Sequence, residues 1–432
     1  MHVVIVDSNR IGLRALRAAK RAGHYVTFIG SRRLEELVVS FDHLRTPELT
    51  DQLVTLDTAQ DEAALLATLK SLDAERKIDA LFTVIEVNVA SVARCAKALG
   101  LPGTDPEAVN LSQDKALCRR QIAACGLTSV AYAVVDSLDA AREAALRIGY
   151  PMIAKPKVGA ASLRALKVEN DDELVSYFAS LSGAVEGPEG YIDAMSAETL
   201  LEHYVEGPLF SVEIAVAGGE IQPMVLSWRK RCTENPAIEL GTVIPAPVST
   251  TIRDAMFEYT ASVVRACKLN LGVFHIELIY GADGPVLVEI NPRIMGGNIP
   301  AVFNLATDID PYDVLLEIFL TGHMPAICRD INPVRAAATR SLGPKHPARL
   351  ADDFSEKDWD AEFRPLLSQF SYQYTRGMHV PDMNSTWYPW HFQLVSPSAV
   401  EVSLLAEWIV MTAAEKTKLA LRRSGEDYLL LK

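Results

Sequence analysis

The sequence predicts an α/β amino-terminal domain on a parallel sheet, followed by a longer region of mixed α/β and α+β character. Three observations predict it. Over the first hundred or so residues, short apolar runs alternate with segments of helical spacing, the pattern of strand–helix–strand units. From Thr128 onward, strand-like runs come in pairs joined by small and turn-forming residues, the pattern of hairpins. A chain of 432 residues is also too long for one core, which implies roughly two to four domains. The boundaries fall at 1–105, 106–330 and 331–432, with a lid subdomain at about 128–198.

Val3–Val6 is a short buried strand, Ile11–Ala22 a helix stopped by Gly23, and Tyr25–Ile29 a second strand. Ile78–Val84 is a later strand, followed by a helix through Ala98 that ends at Gly100. The first turn, Asp7-Ser8-Asn9-Arg10-Ile11-Gly12, holds one glycine. It lacks the glycine fingerprint of dinucleotide sites, which argues against a nicotinamide or flavin role. Glu86 sits just past a strand's carboxyl end, where α/β sheets place ligand contacts. The turn-rich Leu101–Pro106 marks a boundary. In the helix beyond it, Lys115 follows Asp114 near the start, where a lysine opposes the macrodipole unless it reaches an anion.

Val130–Val135 is a strand, Ser137 caps a helix to Ile148, and Pro151–Pro156 is a strand carrying Lys155 near its end. The small-residue turn that follows, Gly159-Ala160-Ala161-Ser162, exposes N–H groups that can wrap phosphate oxygens. Ala165–Val168 is a strand, Asp171 opens a helix, and 183–197 is a flexible connection. Phe210–Val216 pairs with Ile221–Ser227, and Trp228-Arg229-Lys230-Arg231 then presents three cations to a cleft or to water. Thr251–Lys268 and the stretch from Pro311 to Phe319 are helices. In the last hundred residues Gln369–Thr375 and His391–Val395 are strand-like, Val402–Leu421 is helical, and Trp387, Tyr388 and Trp390 are packing residues.

Half the residues are hydrophobic and 22% are charged, the balance of an ordinary globular chain. A net charge of −13, with no basic stretch to offset it, argues against nucleic-acid and anionic-membrane partners. No apolar run is long enough to span a membrane, and the opening Met-His-Val-Val-Ile-Val-Asp lacks the form of a signal peptide. The six cysteines form no CxxC pair. Buried free thiols in a reducing cytoplasm are expected.

The chemistry concentrates between Val273 and Pro300. Two β-prone runs flank Gly281-Ala282-Asp283-Gly284-Pro285, and a three-residue loop there sets Glu277 across from Glu289. Like charges opposed on neighbouring strands are destabilising, so a cation is expected between them. Asn291 shares the face of Glu289, which completes a hard-oxygen set suited to Mg²⁺. Arg293 follows as a fork-shaped donor for phosphate or carboxylate. His275 alternates with Glu277 onto the same face.

Asp114-Lys115, Lys155-Pro156 with its small-residue turn, Leu201-Glu-His-Tyr-Val-Glu-Gly207, Ser211-Val-Glu213, Glu277 and Glu289-Ile-Asn-Pro-Arg293 occur in that order. Together they resemble the ATP-grasp carboxylate–amine ligases, of the L-amino acid ligase or dipeptide synthetase type, over about residues 1–325. The resemblance implies an ATP-grasp fold. Its parts are a Rossmann-like pre-ATP-grasp domain, a mobile lid and a carboxyl-terminal α+β subdomain. It implies ATP and one or two Mg²⁺, with Mn²⁺ as a possible substitute, held by Glu277, Glu289 and Asn291. Lys115 and Lys155 would contact the phosphates, and Gly159 to Ser162 would form a flap over them. Glu202 would hold the ribose or adenine, and His203, Tyr204 and Val205 would line the adenine pocket. Arg293 would stabilise the transferred phosphoryl group, with Lys155 and His275 as further catalytic candidates. Glu86, Arg293, Gly296 and Gly297 would bind substrate, and Glu86 or His275 would handle the amine proton.

The implied reaction joins an amino acid to another amino acid or small amine through an acyl phosphate, releasing ADP and phosphate. A nucleotide-biosynthesis ligase or carboxylase, and an ATP-binding protein without turnover, are the alternatives. The expected partners are small carboxylates and amines, and homodimers are common among similar ligases. One departure stands out. The family's flap often has glycines on both sides of its serine, whereas here Ala161 precedes Ser162 and Leu163-Arg164 follow. The flap is expected to be stiffer, or to read substrate charge through Arg164.

Overall fold

A computed structural model describes residues 1–185, 187–372, 376–383 and 388–425. Residues 1–105 form a four-stranded parallel sheet in the order Gln52–Leu56, Tyr25–Ser31, His2–Val6, Ala80–Phe82. The strand Gln52–Leu56 and the helix Glu62–Glu75 add a further strand–helix unit, the helix capped by Asp61 and buried through Leu65, Leu69 and Leu72. Gly100 ends the helix Val89–Leu99 in the left-handed region, as its lack of a Cβ allows.

Two helices follow the boundary instead of one, Pro106–Gln113 and Lys115–Ala124. Asp114 breaks them apart. Its carboxylate caps the second helix by accepting the N–H groups of Ala116 and Leu117, each at 3.0 Å. Ser137 stands at the expected cap position, but its side chain makes no capping bond. The lid is a small antiparallel sheet in the order Tyr132–Val135, Thr199–His203, Met152–Pro156, Leu166–Val168. The segment expected to be a flexible connection contains a short helix, Glu189–Asp193. It is docked on the amino-terminal domain through Arg33 to Asp193 (2.7 Å) and Gln60 to the Gly190 carbonyl (2.8 Å).

The large sheet has eight antiparallel strands, in the order Gly284–Asn291, Gly272–Gly281, Leu209–Ala217, Glu220–Arg231, Glu239–Ile244, Ala336–Leu342, Trp390–Ser396, Gln369–Tyr372. The last three strands belong to residues 331–432, so that segment extends the central sheet. The far end of the expected strand at 369–375 and Trp387 lie outside the described residues. Trp390 is buried in the core. Tyr388 packs near Cys232, Ile238, Leu240 and Met383.

One face of the large sheet buries Phe210, Val212, Leu226, Trp228, Phe274 and Ile276 in a single apolar cluster with residues of the helices Thr250–Ala266 and Ala399–Thr417. The other face changes character along its length. Ala215, Ala217, Val225 and Val273 pack toward the amino-terminal domain. Further along the same rows come Ser211, Glu213, Arg229, His275 and Glu277. The functional cleft therefore lies where this face emerges from apolar cover.

Gly241 pairs with Arg340 at the junction with the carboxyl-terminal strands, and a Cβ there would run directly into the Thr339 carbonyl oxygen. Gly241→Ala is therefore expected to destabilise the sheet by about 1–3 kcal/mol, the usual cost of overpacking. Thermal unfolding should show a melting temperature several degrees lower, and an unchanged value would mean that the junction relaxes freely.

Candidate active site

The hairpin reaches the expected register by a different route. The turn holds only Ala282 and Asp283, because Gly281 pairs directly with Gly284. A two-residue turn by itself would set Val288 opposite Glu277. A bulge between Glu277 and Leu278 on one strand, and Leu287 and Glu289 on the other, takes up Val288 as the extra residue. Glu289 thereby comes to lie across from Glu277, on the cleft face.

Three cations surround the opposed acids. Lys115 Nζ lies 3.4 Å from Glu289 Oε2 and donates to the Gly159 carbonyl at 3.2 Å, linking the hairpin to the flap. Arg229 Nη1 lies 3.5 Å from Glu277 Oε1. Arg293 Nη2 donates to Asn291 Oδ1 (3.3 Å) and to Glu86 Oε2 (2.8 Å), while Asn291 Nδ2 donates to Glu289 Oε1 (3.3 Å). Burial would raise the Glu277 pKa, but His275 and Arg229 outweigh it and hold the group at about 2. Burial opposes the charge on Lys115, and Glu289 and Glu86 more than offset that. Burial raises Glu86 above the ordinary carboxylate range, against the pull of Arg293.

His275 does not stand free to handle a proton. Its Nδ1 meets Glu213 at 2.9 Å, and its Nε2 lies 2.9 Å from Arg229 Nη1 and 3.1 Å from Glu277 Oε1. The ring is 3% exposed and both nitrogens are occupied, so it braces Glu277 from behind. Glu213 is fully buried, and its other contact is the Ser211 hydroxyl at 3.0 Å.

The two oxygens of Glu202 accept from Arg119 Nε and pair with Lys155 Nζ, each at 2.7 Å. Each oxygen keeps a further lone pair, and Glu202 lines the cleft. It fixes Lys155 and Arg119, and Arg119 also donates to the Val288 carbonyl at 2.6 Å, securing the bulge. Burial, the largest influence, would raise the Glu202 pKa, but the two cations pull it down to about 2.

These groups border a cleft of about 1060 Å³, including its open mouth. Lys115, Lys155, Gly159, Ser162, Glu202, His203, Tyr204, Val205, Glu277 and Glu289 all line it, so the residues scattered over the sequence converge. The N–H of His203 is bonded to Ala131 and that of Tyr204 to Pro151. That of Val205 has no partner among the described residues. Gly296 and Gly297 lie in a second, narrow crevice of about 190 Å³ with Asn9, Gly12 and Tyr312, beside Arg293. A chain of hydrogen bonds runs from Glu289 in the cleft through Asn291 to Arg293, which neighbours Gly296 and bonds Glu86. The three-cation run splits by strand alternation. Arg229 faces the acids and Arg231 lines the cleft, donating to the Gly207 carbonyl, whereas Lys230 lies over the Trp228 ring on the opposite face. Arg119 was not singled out from the sequence, where its only signal was a charge within an otherwise apolar pattern. Arg229 was read only as one of three cations for a cleft or for water, and Glu213 only as part of the resemblance, with no role assigned.

The flap takes left-handed backbone at residues that carry a Cβ. Ala161, Ser162 and Arg164 have φ of 56°, 54° and 58°. A Cβ makes this left-handed region costly, roughly 1 kcal/mol or more per residue. Arg164 donates to the Gly183 carbonyl at 2.9 Å, turned toward its own lid and not toward a substrate.

Two opposed carboxylates and an amide oxygen fit a hard divalent cation. Among the described residues no group of three His, Cys, Asp or Glu side chains gathers as a metal cluster. The remaining coordination positions would then fall to water and phosphate.

Fold and site define an ATP-grasp architecture. Residues 148–301 match the ATP-grasp domain and residues 16–103 the ATP-grasp N-terminal domain. Together these matches take in more than half of the chain, which belongs to the ATP-grasp family. The chain is 27% identical over 297 residues to the uncharacterized protein y4rH of Sinorhizobium fredii, covering 66% of this chain and 58% of that one. It is 25% identical over 253 residues to carnosine synthase 1 of Homo sapiens, covering 55% and 30%. It thus spans less than two thirds of the length of these relatives. The L-amino acid ligase from Bacillus licheniformis has the same fold, with a TM-score of 0.76, 18% identity and coverage of 94% and 96%. No helix among the described residues is long and apolar enough to cross a membrane.

The Arg119–Glu202–Lys155 triad yields a test. The Glu202 pKa is depressed from 4.5 to about 2, so its stabilisation is complete above the unfolded value and is lost as pH falls through the folded one. The stake is roughly 3 kcal/mol. Glu202→Gln leaves two buried cations unpaired and is expected to cost about 3–5 kcal/mol in denaturant unfolding at neutral pH. That deficit should shrink as pH approaches 2. A deficit independent of pH would show that the ionic pairing is not its source.

Proposed function

We propose that this protein is an ATP-dependent carboxylate–amine ligase that joins an amino acid to a second amino acid or small amine. The observation that carries this reading is the opposed pair Glu277 and Glu289, with Asn291 and Arg293 hydrogen-bonded in turn to Glu289, and with Lys115 and Lys155 on the walls of the cleft that the two acids line. A carboxylate is a poor acyl donor, because oxide would have to leave. Attack of the substrate carboxylate on the γ-phosphorus of ATP breaks the bond to the β-phosphate bridging oxygen. ADP leaves and an acyl phosphate forms. The amine then attacks the acyl carbon, phosphate departs, and an amide results after loss of a proton from nitrogen.

Glu277, Glu289 and Asn291 would hold Mg²⁺, which when bound offsets phosphate charge. Lys115 and Lys155 neutralise the phosphates from opposite walls, and Arg293 supports charge on the transferred group. The Val205 N–H is available to an adenine nitrogen. Closure of the Gly159–Ser162 flap excludes water from the acyl phosphate. Glu86, held beside Arg293, suits the ammonium of an amino acid or the proton shed by the amine. The first turn of the amino-terminal sheet carries the buried carboxylate of Asp7, bonded to Ser31 and Asn88, where a ribosyl phosphate would need donors. This favours amino acids over a phosphorylated amine.

Phosphate release with ATP and Mg²⁺, measured across amino acids singly and in pairs, should require a particular pair. Mass spectrometry should then find their condensed mass less water. Glu289→Gln is expected to lower turnover at least about 100-fold, with most of the loss in the chemical step. Turnover by Glu289→Gln equal to the parent would remove Glu289 from the metal set.

A further inference from the structure

Two thiols that the ligase chemistry does not use meet where two helices pack. Cys118 stands in the helix Lys115–Ala124, and Cys267 at the end of the helix Thr250–Ala266. Their sulfurs are 3.9 Å apart, although the residues are 149 positions apart in the chain. Both are buried, at 2% and 0% exposure. A disulfide holds its sulfurs at about 2.05 Å, so the pair is roughly 2 Å short of a bond. Gln121 crosses the same seam, donating to the Ala266 carbonyl at 3.0 Å. It also lies 3.8 Å from the sulfur of Cys125, which is exposed at the end of its helix. The seam therefore reaches solvent about two turns from Cys118.

Each of these helices holds the strand that carries Glu289. The helix of Cys118 bears Lys115, 3.4 Å from Glu289, and Arg119, which bonds Glu202 and the Val288 carbonyl. The helix of Cys267 bears Tyr259, whose hydroxyl accepts the N–H of Leu287 at 3.2 Å and donates to the Thr128 carbonyl at 2.6 Å. Leu287 and Val288 lie at the bulge that sets Glu289 across from Glu277. The two helices thus grip consecutive residues of one strand, and the sulfurs lie between the grips. The adjoining Cys267 thiol, with Arg119 and Lys115, outweighs burial and favours the thiolate at Cys118, the form that reacts with peroxides.

We propose that Cys118 and Cys267 form a reversible disulfide that lowers the affinity of the cleft for ATP. Hydrogen peroxide is the oxidant. The Cys118 sulfur attacks one peroxide oxygen, the O–O bond breaks, hydroxide leaves, and a sulfenic acid forms. The Cys267 sulfur then attacks the Cys118 sulfur and the S–O bond breaks. The departing oxygen takes up the Cys267 proton and leaves as water. Overall two thiols lose two electrons and peroxide becomes two waters. Closing the gap draws the helices together and displaces Arg119 from Glu202 and from the Val288 carbonyl. Lys155 loses its anchor by the same movement, because Glu202 holds it. The switch goes beyond the ligase reading, since it needs the nucleotide cleft and not the substrates.

The test treats the reduced protein with hydrogen peroxide after the reductant has been removed. Mass spectrometry of the unreduced digest should find the Cys118 peptide joined to the Cys267 peptide, lighter than their sum by two hydrogens. Calorimetry should then give a Kd for ATP with Mg²⁺ about tenfold higher, the order of one lost hydrogen bond to a charged group. A dithiol reductant should restore the original value. Cys118→Ser and Cys267→Ser each keep one sulfur, and both should bind ATP like the reduced parent before and after peroxide. Absence of the joined peptides would overturn the proposal, as would joined peptides with a Kd within twofold of the reduced protein. The same loss of affinity in both serine variants would place the oxidation elsewhere and overturn it too. Reduced protein that binds no ATP would overturn the nucleotide reading of the cleft and the switch with it, a failure seen before any oxidant is added.

Discussion

Glu277 and Glu289 face each other across two neighbouring strands, and the surrounding side chains are arranged around their repulsion. Arg229 answers one acid, Lys115 the other, and Arg293 the amide that follows. Each of these cations comes from a different element. Lys115 is set by the Asp114 cap, Arg229 by alternation on the strand Glu220–Arg231, one strand removed from the hairpin, and Arg293 by the chain leaving the hairpin. The result is a lattice of alternating charge in which a bound cation and its phosphates can replace protein contacts already close to neutral.

Behind that lattice stand two buried ionic groups, Glu213–His275–Arg229 and Arg119–Glu202–Lys155. Replacing such groups with apolar residues is often neutral or stabilising, so stability alone does not account for them. Their effect is geometric. The first presses Glu277 into place from below, and the second holds Lys155 on the cleft wall while Arg119 secures the bulged carbonyl of Val288. The flap contrasts with this rigidity. Three residues with a Cβ sit in the left-handed region there, so its conformation depends on contacts with the segment 187–198.

Much of the site was legible in the sequence because its signals are local. Glu289, Asn291 and Arg293 lie close together on one strand and its exit, and the period of two puts the first two on one face whatever surrounds them. The opposed register followed from turn residues, although the turn is one residue shorter than expected and a bulge makes up the difference. Asp114-Lys115 was legible as an oddity, a lysine where the helix dipole disfavours one, with Asp114 as its cap. Glu202 and His275 stand in the site, but the partners that hold them are distant in sequence and no local pattern names them. Arg119 was hidden for a related reason, since a charge within an apolar pattern reads as a solvated face until its burial is known, and Arg229 was legible only as one of three cations for a cleft or for water.

The sequence by itself determined the parallel amino-terminal sheet and the hairpin with its opposed acids. Both rest on periodicity and on contacts within a few residues. Only the tertiary structure decided that strands of residues 331–432 continue the central sheet, that the run Arg229-Lys230-Arg231 is split between two faces, and that the helix Glu189–Asp193 docks on the amino-terminal domain. These depend on contacts between residues far apart in the chain, and such contacts are selected by how the elements pack, which no local pattern encodes.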